Sequence, residues 1–128
     1  MIYLDSSVAL AAVFTEKRAP PAAFWSQPLI SSRLLEYEIM NRVHARQGGQ
    51  LMINAALILI NGVRFSDLSP VVLARALQPY PVPVRTLDGL HLATMDFLRS
   101  HSQTIEVATY DQRFAAAAKA LGFPIAAL

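Results

Sequence analysis

Cysteine is absent from this chain of 128 residues. That excludes a disulfide framework and a thiolate zinc site, and it suits any reducing compartment. Lysine is scarce as well: nine of the eleven basic residues are arginine, the better side chain for bidentate contact with phosphate. Long hydrophobic runs are also missing. No purely aliphatic stretch is longer than AALILI, Ala55 to Ile60, far short of the roughly 20 residues that a bilayer span needs. The opening MIYLDSS has no basic segment followed by an apolar one, so no signal peptide is expected and a cytoplasmic location is. Low-complexity tracts, internal repeats and linkers are lacking too, which leaves one domain over residues 1–128.

What is present is apolar. Hydrophobic residues make up 54% of the chain, and the mean hydropathy is positive. With no membrane span to account for it, this implies apolar surface hidden against a partner or a second copy of the chain. Short apolar runs alternate with helical patterns from end to end. MIYLD, PLISS, VRFSDLS and TIEVATYD read as strands, and FPIAAL as a short last one. Between them lie SSVALAAVF, a short AAFWSQ helix after Pro20 and Pro21, SRLLEYEIMNRVHARQGG closed by Gly48 and Gly49, QLMINAALILING, PVVLARALQ and QRFAAAAKALG. Strands apolar on both faces and alternating with helices predict an α/β fold, three layers α/β/α about a central parallel sheet.

Residues 84–98, VRTLDGLHLATMDFL, form a further helix whose stripe Leu87, Leu90, His91, Thr94, Met95 and Leu98 faces the core. Asp88 lies at the edge of that stripe, where a carboxylate is costly unless something pairs with it. Three other acids invite the same question. Asp5 ends the first strand and Asp111 the fourth, and ligands of open α/β sheets bind at such carboxyl ends. Each is equally well placed to cap the next helix. Glu38 shares the apolar face of its helix with Leu34 and Leu35, yet an ion pair with Arg42 one turn on would account for it. Asp88 in a first helical turn is favoured by the helix dipole alone. Four such acids meeting in one crevice would repel one another unless a cation sat between them, and oxygen-only ligands suit Mg²⁺ or Mn²⁺. The remaining chain would then carry eleven positive charges against five negative, a basic body around an acidic hole.

Four stretches carry a family resemblance: YLDSS, SSRLLEYEIMNRV, LDGLHLATM and ATYDQRFAAAAKALGFPI. On these the chain resembles a PIN-domain ribonuclease, and more narrowly the VapC type of toxin from bacterial toxin–antitoxin pairs. The resemblance implies a parallel five-stranded sheet between helices and an acidic quartet of Asp5, Glu38, Asp88 and Asp111 holding Mg²⁺, or alternatively Mn²⁺. It further implies helper hydroxyls at Thr109 and Ser6, a structural His91, a small cognate antitoxin protein as partner, and a homodimer. His91 on the apolar stripe reads independently as a hydrogen-bonded core histidine, and Phe24 and Trp25 as packing.

The implied activity is metal-dependent endoribonuclease cleavage of a backbone phosphodiester by water, leaving a 5′-phosphate and a 3′-hydroxyl. Single-stranded or looped RNA fits a crevice better than a stacked duplex. Arg85 and Arg113 are the candidate rim arginines, and Asn54 to Asn61 with the first helix are the candidate partner surface. Two alternatives remain. A phosphatase of another doubly wound family would use Asp5 as nucleophile, but it would want a second acid two residues on, where Ser7 stands. A binding module would use the acids only as helix caps and would show no Mg²⁺-dependent change in melting temperature.

Overall fold

A computed structural model describes residues 1–128 throughout. In chain order the elements are β1 (Ile2–Leu4), α1 (Ser6–Val13), a 3₁₀ turn (Ala22–Ser26), β2 (Leu29–Ser32), α2 (Leu34–Arg46), α3 (Gly49–Asn61), β3 (Arg64–Ser66), α4 (Pro70–Ala76), α5 (Thr86–Ser100), β4 (Glu106–Ala108) and α6 (Gln112–Ala120). The four strands pair in parallel in the order β3-β2-β1-β4. A fifth position is only a single parallel bridge, Val107 to Ile125, so FPIAAL contributes one bridge rather than a strand.

Alternation along each strand divides the interior into two layers. Ile2 and Leu4 point into one cluster with Val8, Leu35, Ile39 and Val43, from α1 and α2. Tyr3 points the other way, into a cluster with Leu92, Met95, Val107 and Phe114, from α5, β4 and α6. This is the expected three-layer α/β/α arrangement. The chain runs from β1 through β2 to β3 on one side, and β4 then adds to the other side of β1. Strand order therefore reverses at β1, and the crevice between the carboxyl ends of β1 and β4 is where such sheets take ligands.

Several local expectations need correction. Gly48 and Gly49 do not close α2; Gln47 itself takes the left-handed conformation (φ 54°), and Gly49, at φ 78°, opens α3. β3 is an edge strand with an exposed Arg64, not an apolar strand covered on both faces. Leu87 is 43% exposed rather than part of the core stripe, whereas His91, Thr94, Met95 and Leu98 are buried. No helix is long and apolar enough to cross a membrane.

Candidate active site

Asp5, Glu38, Asp88 and Asp111 all line one open cleft of about 480 Å³ at the carboxyl end of the sheet. Four segments far apart in the chain supply them, and each is set in place by its own local chemistry. Asp5 follows β1 and caps α1. Its Oδ2 accepts from the Ser7 amide (3.3 Å), the Ser7 hydroxyl (2.6 Å) and the Thr109 hydroxyl (2.8 Å), while no hydrogen bond from the protein falls on Oδ1. Asp111, beyond β4, caps α6 by accepting from the amides of Arg113 (2.9 Å) and Phe114 (3.1 Å) at Oδ1. Capping and a place in the cleft thus coincide for both residues.

Glu38 makes no ion pair with Arg42. Its Oε1 lies 2.5 Å from Nε2 of His91, and its Oε2 accepts a 3.3 Å hydrogen bond from Ser6. His91, 1% exposed, meets the Tyr3 hydroxyl through Nδ1 at 2.7 Å, and that oxygen accepts from the Ser32 amide at 3.2 Å. Burial holds the Tyr3 phenol above its ordinary pKa, and the nearby charges of Asp5 and Glu38 act in the same direction. Tyr3 therefore keeps its proton and donates it to Nδ1, which leaves Nε2–H to donate to Glu38. His91 is a core histidine, as its place on the stripe predicts, and it fixes the orientation of Glu38.

Asp88 answers the question of its pairing through Arg85. The Arg85 Nε donates to Asp88 Oδ2 at 3.0 Å, and its Nη2 lies 2.9 Å from the same oxygen while also reaching Asp111 Oδ2. Burial raises the Asp88 pKa above its ordinary value; Arg85 opposes this, and repulsion from Asp111 and Asp5 adds to it. For Asp111 burial also acts upward, but the Phe114 amide, Arg85 and the Arg113 amide outweigh it and the net shift is downward. One guanidinium thus bridges two of the four acids. No group of three or more His, Asp or Glu side chains stands ready as a metal ligand set. The donor chemistry nevertheless fits a hard divalent cation: the donors are all carboxylate oxygens, and Oδ1 of Asp5 and of Asp88 accepts no hydrogen bond from the protein.

Of the two candidate helper hydroxyls, Thr109 holds Asp5 and Ser6 reaches Glu38. Ser7, not among the candidate helpers, does more: it donates to Asp5 and accepts from the Tyr110 amide at 2.9 Å. Arg85 lines the cleft as expected. Arg113 instead borders a small depression beside Arg85 and Asp88, and Arg18, Arg42 and Arg46 line the main cleft. A signal for the last two was present, since they follow Glu38 at intervals of four residues.

Ribonuclease VapC47 of Mycobacterium tuberculosis (strain CDC 1551 / Oshkosh) is 27% identical to this chain over 130 aligned positions, covering 96% of this chain and 93% of that protein. Residues 2–120 match the PIN domain family. With that match over nearly the whole length, and a parallel sheet that brings the conspicuous acids to one cleft, the chain belongs to the PIN domain family.

Proposed function

We propose that this protein is a divalent-metal-dependent endoribonuclease and the toxin of a toxin–antitoxin pair. The observation that carries the proposal is the meeting of Asp5, Glu38, Asp88 and Asp111, from four separate segments, in one cleft of a PIN-family chain. Mg²⁺ or Mn²⁺ held by these four carboxylates would supply water activation and charge neutralisation at the scissile phosphate. The chain's own residues prepare the place. Ser7 and Thr109 hold Oδ2 of Asp5 and leave its Oδ1 with no donor from the protein. His91 fixes Glu38, and Arg85 neutralises Asp88 and Asp111 until another cation takes that role. The name of the Mycobacterium relative supports the ribonuclease assignment. Ser7, where an Asp5-nucleophile phosphatase would want its second acid, donates to Asp5 instead, which speaks against that alternative.

The test is cleavage of a structured RNA by purified protein. Cutting is expected with Mg²⁺, with loss of activity in EDTA and recovery on adding the metal back. Cleavage unaffected by EDTA would remove the metal from the mechanism, and no cleavage under any metal would remove the nuclease.

The apolar excess resides where a partner could use it. α3 buries only Ala56, and Leu51, Leu57 and Ile58 stand exposed. Beside it, Ala12, Val13, Trp25, Leu29, Ile58 and Leu59 line an apolar groove of about 360 Å³. We assign this surface to the antitoxin and to a second copy of the chain. Light scattering on a gel-filtration column is expected to show a dimer, or a complex when the protein from the adjacent gene is co-expressed. A strict monomer in both cases would defeat the assignment.

A further inference from the structure

Three residues on one face of α2 form a row that leads away from the acids. Glu38, Arg42 and Arg46 are spaced four residues apart, so each step advances about 6 Å along the helix. All three line the same cleft. The acid end is crowded with carboxylates, and the other end is cationic. Arg42 is exposed and makes no ion pair with any carboxylate, and Glu38 is held by His91 instead. Arg46 is likewise free of ion pairs. Its guanidinium stacks on the ring of Phe14 at 4.0 Å from the centroid, which holds the side chain over the cleft with its N–H donors unspent. The other two cleft arginines differ: Arg18 is paired with Glu16, and Arg85 with Asp88 and Asp111.

We propose that this face of α2 is the track for the RNA backbone, with Arg42 and Arg46 holding the two successive phosphates next to the scissile one. The proposal rests on the ribonuclease assignment above and adds to it the path of the substrate. The step along the helix is comparable to the separation of neighbouring phosphates in an extended single strand, and arginine matches phosphate bidentately. Continuity with the acid end favours RNA over an acidic peptide, because a strand lying on this row presents its next phosphate to the carboxylates. These interactions are made equally before and during the reaction, so they act on substrate binding more than on turnover.

The test compares wild-type protein with the double variant Arg42→Gln/Arg46→Gln. A control of equal charge loss away from the cleft is Arg64→Gln/Lys119→Gln. The probe is a fluorescein-labelled single-stranded RNA of mixed sequence, followed by anisotropy in EDTA over a range of salt concentrations. The cleft variant is expected to bind at least about 10-fold more weakly, with a slope of log K against log salt shallower by about 1.4, near 0.7 for each phosphate no longer neutralised. In Mg²⁺ its KM should rise while kcat stays near wild type. Unchanged affinity and slope, or an equal loss in the control, would overturn the track. Unchanged RNA binding with lost binding of an oligoglutamate peptide would also overturn it and give the arginines to an acidic protein. If the wild type neither binds nor cuts RNA, the ribonuclease assignment fails first; if the wild type does both and the cleft variant matches it, the track alone fails.

Discussion

Asp5→Asn and Asp88→Asn are each expected to cut metal-dependent RNA cleavage by at least about 100-fold while leaving the protein folded. Outer-shell partners of metal ligands already cost about 10- to 100-fold when removed, and a direct ligand should cost no less. At position 5 an asparagine keeps one carbonyl oxygen to accept from Ser7 and Thr109, so the cap of α1 survives and only the charge is lost. At position 88 the expectation includes a stability change of definite sign. The folded-state pKa of Asp88 lies above its ordinary value of 3.8, first because of burial. The folded chain therefore holds that proton more tightly than the unfolded chain, and stability falls as pH rises through the interval between the two values. At neutral pH the ionised Asp88 is a net burden, and Asp88→Asn should melt no lower than wild type. The advantage should vanish as pH drops below 3.8, where both states carry the proton. Asp111 behaves oppositely: its lowered pKa stabilises the fold at neutral pH, a contribution lost on acidification. Melting curves at several pH values and cleavage assays on the same preparations check both parts. Wild-type cleavage by either variant would take that carboxylate out of the mechanism, and a melting temperature for Asp88→Asn well below wild type at neutral pH would contradict the burial account.

The layers and elements were legible because they follow from local periodicity. Ile2 and Leu4 against Tyr3, or Leu29 against Ile30, show the two-sided burial of a parallel strand in a handful of letters. Helix ends were less legible. Gln47 adopts the left-handed turn that the neighbouring glycines were expected to provide, because α3 begins at once and Gly49 is needed at its first residue. The apolar stretch Asn54 to Asn61 in α3 suggested partner surface. In the fold α3 packs on α1 and α2 and leaves Leu51, Leu57 and Ile58 exposed; which of its faces meets the core is a matter of tertiary placement that composition does not encode. The acids were visible through family-like spacing, but their partners were not. Local reasoning offered Arg42, one turn away, as one partner for Glu38, and the observed partner, His91, lies 53 residues on. Arg85 joins Asp88, three residues distant, to Asp111, which is 26 distant. Arg42, without that pair, is left as a cationic residue lining the cleft.

His91→Ala is expected to destabilise the protein by about 3–5 kcal/mol, from the cavity it opens and the buried hydrogen-bond partners it leaves unpaired. The imidazole is 1% exposed and touches the edges of both Tyr3 and Phe114, so its loss opens a cavity in the layer beneath α5. The polar loss is larger than the apolar one. Tyr3, fully buried, would have no acceptor for its hydroxyl, and Glu38 would lose its 2.5 Å partner. Leaving a buried donor or acceptor unpaired costs about 1–3 kcal/mol. For a domain of this size the sum corresponds to a fall in Tm of about 10–20 °C. Tyr3→Phe is the milder companion: it removes the hydroxyl and leaves Nδ1 of His91 and the Ser32 amide unpaired, for a loss of about 1–3 kcal/mol. The two substitutions should be strongly non-additive, because both break the same chain of hydrogen bonds, and a double-mutant cycle measures the coupling. A histidine serving directly as a metal ligand gives the reverse pattern, with a Tm near wild type in EDTA and a lost response to Mg²⁺. Should His91→Ala melt within about 2 °C of wild type, the network from Ser32 through Tyr3 and His91 to Glu38 would not be what holds that carboxylate in the cleft.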